Sequence, residues 1–315
     1  MKIPPVIASH ARQFGTLLVF MVLCVVLTVL TPHFLTVSNL LNVAQQTSIN
    51  AVIAVGLTYV IISAGIDLSV GSIVAFSGVV MAGALQAGWP VAAAVLTGLA
   101  VGTGCGIVNG LLIAFGRLPP FIATLGMMSV ARGLGLLHTD GRPVSGFGDA
   151  FRWLANGEVV GVPVPVLIML GVYAAAHFVL RRTKFGRYVF AIGGNEEASL
   201  LSGVPVAAYK VAVYAVSGLL AALGSVLLTA RLNSAQPIAG INYELDAIAA
   251  TVIGGTSLMG GQGSVIGTLI GALIMGVLRN GLNLLGVSSF FQQVVIGAVI
   301  IAAVLLDTVF KRQKR

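Results

Sequence analysis

Apolar blocks on the scale of a bilayer crossing recur along almost the whole chain, at 14–30, 51–64, 70–87, 91–115, 121–137, 164–180, 211–230, 247–258, 265–284 and 294–306. In hydrocarbon every backbone N–H and C=O must be paired within the protein, so such blocks are expected to be helices. A straight crossing needs ~20 residues. Several blocks are shorter, which predicts helices that are broken or continued by polar flanks. Only 8% of the 315 residues are charged, against roughly 25% in a soluble domain, and mean hydropathy is +1.04. The expected fold is an all-α polytopic membrane protein of about ten transmembrane helices in a single domain, 1–315, in contact with membrane lipid.

The net charge of +8 would suggest nucleic acid in a soluble protein. Here the basic residues concentrate in short connectors, a pattern that reports orientation, and no nucleic-acid partner is expected. Lys2 and Arg12 precede the first block, Arg117 follows the fourth, "RRTKFGR" begins at Arg181, and the chain closes on "KRQKR". Ten spans with both termini cytoplasmic put all four segments inside. The segments 31–50 and 138–161 then fall outside. The N-terminal block has no small-x-small cleavage signal after Leu30, so it reads as an uncleaved first span. Cys24 and Cys105 lie within spans, and neither a disulfide nor a metal site is expected. Glycines spaced four apart, at Gly102, Gly106 and Gly110 and at Gly267 and Gly271, predict close helix–helix approach.

The stretch "ISAGIDLSVGSIVAFSG" at 62–78 sets Asp67, Ser69 and Ser72 inside an apolar region. A charge at bilayer depth is costly and marks a functional position by default. "AGIDLSVGSIVAFSGVV" at 64–80 resembles "AGINYELDAIAATVIGG" at 239–255, an offset of 175 residues. Five crossings separate the two copies, so they face opposite ways, in two inverted repeats at 51–137 and 211–306. Asp67, Ser69 and Ser72 are then expected near an inner gate, and Asn242, Glu244 and Asp246 near an outer one, beside a translocation path. The plainer reading, equally open on sequence, is that these acids are ordinary helix N-caps. No intramembrane His or Lys is placed to partner them.

A membrane transporter needs an energy source, and none is written here. "GGTSLMGGQGSVIG" at 254–267 lacks the lysine of a phosphate loop. "VGTGCGIVNG" at 101–110 follows no strand and cannot serve as a dinucleotide fingerprint. No metal-ligand spacing and no nucleophile motif occur. The largest connector, 181–210, contains "GGNEEASLLSGV". It reads as a glycine turn, an N-cap at Asn195, a short helix through Glu196, Glu197, Ala198, Leu200 and Leu201, and a stop at Gly203. So short a helix has little stability alone and makes sense docked into a groove on a partner.

Taken together, "GIDLSVGS", "IGGNEEASLLSG" and "ELDAIAATVIGGTS" resemble the permease subunits of ribose-type ABC sugar importers, a branch shared with branched-chain amino acid permeases. The resemblance runs from about Phe14 to Leu306, and "LNSAQPIAGINYELDAIAATVIGGTSLMGG" and "GLNLLGVSSFFQ" place it nearest the ribose branch. It implies a membrane subunit, not an enzyme, that works as a homodimer in a bacterial inner membrane. A cytoplasmic ABC ATPase would dock on the helix after Asn195, and a periplasmic sugar-binding protein on the outer surface. This chain would carry no cofactor, with ATP and Mg²⁺ held by the ATPase. The expected cargo is ribose or a related monosaccharide, with xylose, allose, galactose or an autoinducer-type furanose as alternatives. An ion-driven secondary transporter would want paired intramembrane ionisable groups, which the sequence does not reveal.

Overall fold

The computed structural model describes residues 5–312; Lys2, Lys314 and Arg315, used above for orientation, lie outside them. Thirteen helices account for most of the described chain. They are α1 (Pro5–Leu30), α2 (Val37–Ile62), α3 (Val70–Gln86), α4 (Val91–Ala114), α5 (Pro120–Thr139), α6 (Asp149–Asn156), α7 (Val164–Arg182), α8 (Lys184–Gly194), α9 (Glu196–Leu201), α10 (Val206–Leu232), α11 (Tyr243–Ile253), α12 (Val265–Leu284) and α13 (Ser289–Arg312). Two-residue strands β1 (Val144–Ser145) and β4 (Ser234–Ala235) pair antiparallel, as do β2 (Glu158–Val159) and β3 (Val162–Pro163).

Six helices, α2, α4, α5, α7, α10 and α12, are long and apolar enough to cross a membrane, and shorter apolar helical stretches lie at Gly15–Leu30, Val70–Gln86 and Ser289–Ala302. The chain is a multi-pass membrane protein. With eleven residues, α11 rises only ~16 Å and cannot cross alone. It ends at Ile253, earlier than hydropathy suggested, and the chain turns through 254–264 before α12.

The largest departure from the sequence reading is α2. Its helix begins at Val37 rather than near residue 51, so most of the segment expected as an outer loop is helical. Part of the cause is that protein partners hold several of its polar residues. Thr36 caps the helix by accepting from the Asn39 N–H. Asn39 and Asn280 of α12 exchange reciprocal amide hydrogen bonds at 3.1 and 2.8 Å, and the buried Ser48 donates its hydroxyl to the Gln45 carbonyl at 2.7 Å. Hydropathy scores such residues as wet, although protein surrounds them.

Two central helices organise the packing. α10 lies against α2, α3 and α4, while α2 lies against α10, α11 and α12. α3 also packs on α4 and α5, α11 on α12 and α13, and α1 on α12. The α4–α10 seam uses the glycines read from sequence. A Cβ on Gly106 would collide with the Tyr214 carbonyl oxygen, and one on Gly218 with that of Gly102. Close backbone approach of this kind replaces the hydrophobic driving force that lipid removes.

The segment after α5 is also ordered. Phe147 meets Phe151 of α6 edge-on, with ring centroids 5.4 Å apart, and both join a cluster with Met81, Ala82, Ala94 and Val226. Asn233, at the end of α10, accepts from the Phe147 N–H through Oδ1 at 3.0 Å. The β2–β3 turn puts Val160 and Gly161 at positive φ, as a tight two-residue hairpin requires.

Candidate translocation and coupling sites

Asp67 is fully buried. Its Oδ1 accepts from the Ser69 N–H at 3.0 Å and from the Ser69 hydroxyl, and its Oδ2 from the Ser217 hydroxyl of α10 at 2.8 Å. Asn109 of α4 donates to Ser69 Oγ at 2.9 Å. Thr124 of α5 and Tyr214 of α10 donate to the Ile66 carbonyl at 3.3 and 3.4 Å. Asp67 is therefore not the N-cap of α3. Ser69 occupies that position without a side-chain cap bond, and Asp67 closes a turn two residues earlier, where hydroxyls and a backbone N–H hold it. Every oxygen of this buried carboxyl group thus has a partner, as a polar group cut off from water requires. Ser72 is buried on the first turn of α3.

Asn242 begins α11 at φ +67° with no side-chain cap bond. Glu244 and Asp246 lie in its opening turns, where carboxylates complement the helix dipole. Asp246, nearly buried, pairs with Arg279 of α12 at 2.7 Å and accepts from Asn50 of α2 at 3.4 Å. Glu244 interacts through space with Arg132 of α5, and Arg132 donates to the Pro237 and Ala239 carbonyls at 2.9 and 2.8 Å.

One expectation is corrected here. Intramembrane basic partners for the acids do exist, as Arg279 and Arg132, arginines within two of the apolar blocks. The two acidic segments also come into contact. A Cβ on Gly71, in the first turn of α3, would collide with the Gly240 carbonyl oxygen and lie 2.5 Å from Glu244 Oε2. Thus α3 and the segment entering α11 meet at one junction. Asp67 approaches it from one side and Glu244 from the other.

The connector forms α8 and α9. The Asn195 side chain accepts from the Ala198 N–H at 2.9 Å, the N-cap read from sequence. Gly203 ends the motif at φ +80°. The glycines expected as a turn, Gly193 and Gly194, instead close α8. Glu196 pairs with Lys210 at 2.6 Å, Glu197 and Ala198 are exposed, and Leu200 and Leu201 are 62% and 82% exposed. Beneath this surface, the Gly261 N–H donates to the Ile62 carbonyl at 2.8 Å. A Cβ on Gly193 would strike that same carbonyl. The exposed helix is thereby one residue-to-residue contact away from the end of α2 and from the turn before α12.

A separate cavity of about 240 Å³ opens between α2 and α6, lined by Asn42, Gln45, Asn156, Glu158 and their neighbours. It includes none of the residues above. Among the described residues no group of acidic, His and Cys side chains could hold a metal ion.

The family described as branched-chain amino acid transport system / permease component matches residues 39–304. The ribose import permease protein RbsC of Escherichia coli K12 is 51% identical over 296 residues, covering 93% of this chain and 92% of that protein. RbsC of Bacillus subtilis is 50% identical over 298 residues, covering 94% and 92%. The D-allose transport system permease protein AlsC of Escherichia coli K12 is 40% identical over 302 residues, covering 95% and 93%. No solved structure matches.

Proposed function

Because the chain belongs to the family of branched-chain amino acid transport system permease components, we propose that it is the membrane permease of an ATP-driven, binding-protein-dependent importer of ribose. One observation carries the choice of sugar: identity of about half to ribose import permeases, over more than nine-tenths of the chain. The allose permease is a more distant relative. As a family member the chain is a transport component rather than an enzyme.

In this reading the chain spans a bacterial inner membrane ten times, with both termini cytoplasmic, as a single domain that pairs with a second copy of itself. The halves 51–137 and 211–306 are inverted repeats. The reciprocal packing of α10 on α3 and α4, and of α2 on α11 and α12, supports that assignment, because each half lends its long helix to the other. A periplasmic sugar-binding protein delivers the sugar to the outer surface.

A cytoplasmic ATPase, which holds ATP and Mg²⁺, docks on the coupling segment 181–210 through Glu197, Leu200 and Leu201. Its movement reaches the path through the contact of Gly193 with Ile62, at the head of the turn that carries Asp67. Asp67, Ser69 and Ser72 brace that turn, while Asn242, Glu244 and Asp246 shape the entry of α11. Sugar specificity resides mainly in the binding protein, since a path must release what it admits.

Uptake of labelled ribose by cells with and without this chain tests the reading, with excess unlabelled xylose, galactose, allose or arabinose as competitors. Loss of uptake on deletion, with competition by ribose alone, is expected. Competition by allose at equal strength would move the assignment to a broader hexose and pentose permease.

A further inference from the structure

The segment 236–242, which enters α11, has an unusual problem for backbone at membrane depth. It is neither helix nor paired strand, so its carbonyl groups need donors from elsewhere in the protein. The Ala239 N–H takes the Gln236 carbonyl in a tight turn at 2.9 Å, and the Tyr243 and Asp246 N–H groups take those of Gly240 and Asn242. Two others, the carbonyls of Pro237 and Ala239, are met from α5. Both are taken by a single nitrogen, Nη1 of Arg132. A guanidinium at this place is expensive: an arginine at the centre of a membrane helix costs about 2.5–3.5 kcal/mol on insertion scales. No other residue of α5 makes this bond to the segment. Within the segment, burial alternates. Pro237 and Gly240 face inward, while Gln236, Ile238, Ile241 and Asn242 are exposed.

From this geometry we propose that Arg132 is a positioning residue for translocation. It fixes the bend of 236–242 that presents Gln236, Ile238, Ile241 and Asn242 to the transported sugar. The assignment rests on the permease reading for the identity of the cargo, but the anchoring does not depend on it. The contact of Gly240 with Gly71 is the second hold on the segment, so removal of Arg132 frees its outer arm without detaching α11. Lysine presents a compact charge on a flexible stem rather than a planar fork. It can satisfy one carbonyl and should restore part of what methionine loses.

The test uses the full chain with its ATPase and binding protein in proteoliposomes. Cys24 and Cys105 are replaced by alanine, and a single cysteine is placed at Ile238 or Ile241. Reaction of that cysteine with a membrane-impermeant maleimide is timed in Arg132, Arg132→Lys and Arg132→Met backgrounds. A cysteine at Val160, exposed on the β2–β3 turn in the segment expected outside, serves as control. Arg132→Met is expected to change the rates at both segment positions while the control holds. It should also lower the maximal rate of labelled ribose uptake about tenfold, the scale on which a lost buried hydrogen-bond anchor acts, and Arg132→Lys should fall between. Unchanged labelling in Arg132→Met overturns the proposal. Should that variant fail to fold, unchanged labelling in the folded Arg132→Lys protein does the same. Absence of ribose uptake in the unsubstituted protein would strike at the cargo assignment alone, because the labelling comparison needs no transport.

Discussion

Arg279 of α12 and Asp246 of α11 form an ion pair at 2.7 Å in which the carboxylate is nearly buried and the guanidinium almost half exposed. Arg279→Met leaves Asp246 with only the long Asn50 bond at 3.4 Å. The expected loss is about 3 kcal/mol, the low end for a broken buried pair because the arginine is partly solvated. Asp246→Asn combined with Arg279→Met removes the stranded charge and should recover part of that loss. Thermal unfolding of the detergent-purified protein reads both. A single substitution within about 0.5 kcal/mol of the parent would show the pair to be superficial.

Two glycines one half-turn apart on α4 make opposite predictions. At Gly106 a Cβ would run into the Tyr214 carbonyl, whereas at Gly104 nothing lies within 4 Å. Gly106→Ala should force α4 from α10 and cost on the order of 1–3 kcal/mol, as overpacking does. Gly104→Ala should be neutral or stabilising by up to about 1 kcal/mol, from helix propensity. Melting temperatures of the two variants, measured side by side, decide the matter. A neutral Gly106→Ala would mean that the seam is looser than the backbone contact implies.

Much of this arrangement was legible in the residues, for reasons that can be named. The apolar blocks marked most of the long helices, the four-residue glycine spacing marked α4 as closely packed though not against which helix, and Asn195 followed three residues later by Ala198 behaved as a local cap. Local signals of that kind need no knowledge of the rest of the chain. The first half of α2 was hidden because its asparagines are paid for by partners such as Asn280, which lies 241 residues away. Arg132 and Arg279 were missed for a similar reason. Their partners lie 105 and 33 residues along, although an arginine inside an apolar block was itself a signal. The meeting of Gly71 with Gly240 depends on how two segments bend into the protein, and hydropathy carries no such information.

The face of α9 yields a separable prediction. Glu196 is engaged by Lys210, whereas Glu197, Leu200 and Leu201 are exposed. Glu197→Lys and Leu201→Glu should therefore abolish stimulation of the ATPase by the permease, with folding changed by no more than about 0.5 kcal/mol, as for a typical surface substitution. Asn195→Ala should act more mildly, loosening the helix by about 1 kcal/mol through the lost cap. The check is ATP hydrolysis by the reconstituted complex beside the melting temperature of the permease. Normal stimulation by Glu197→Lys and Leu201→Glu would place the docking surface elsewhere.

Asp67 joins the turn after α2 to α10 through Ser217 and to α4 through Ser69 and Asn109, and water does not reach it. Asp67→Ala strands two hydroxyls and a backbone N–H, each an unsatisfied buried group worth about 1–3 kcal/mol. The expected outcome is little folded protein in the membrane. Asp67→Asn keeps the shape and one good acceptor, so most of the fold should survive. The informative quantity is ribose uptake per folded molecule of Asp67→Asn. A connector that only braces the turn predicts uptake near that of the parent, because the amide still ties α10 to the turn. Uptake lost from a well-folded Asp67→Asn protein would instead require the negative charge itself, and would move Asp67 from bracing the junction to acting in the gate.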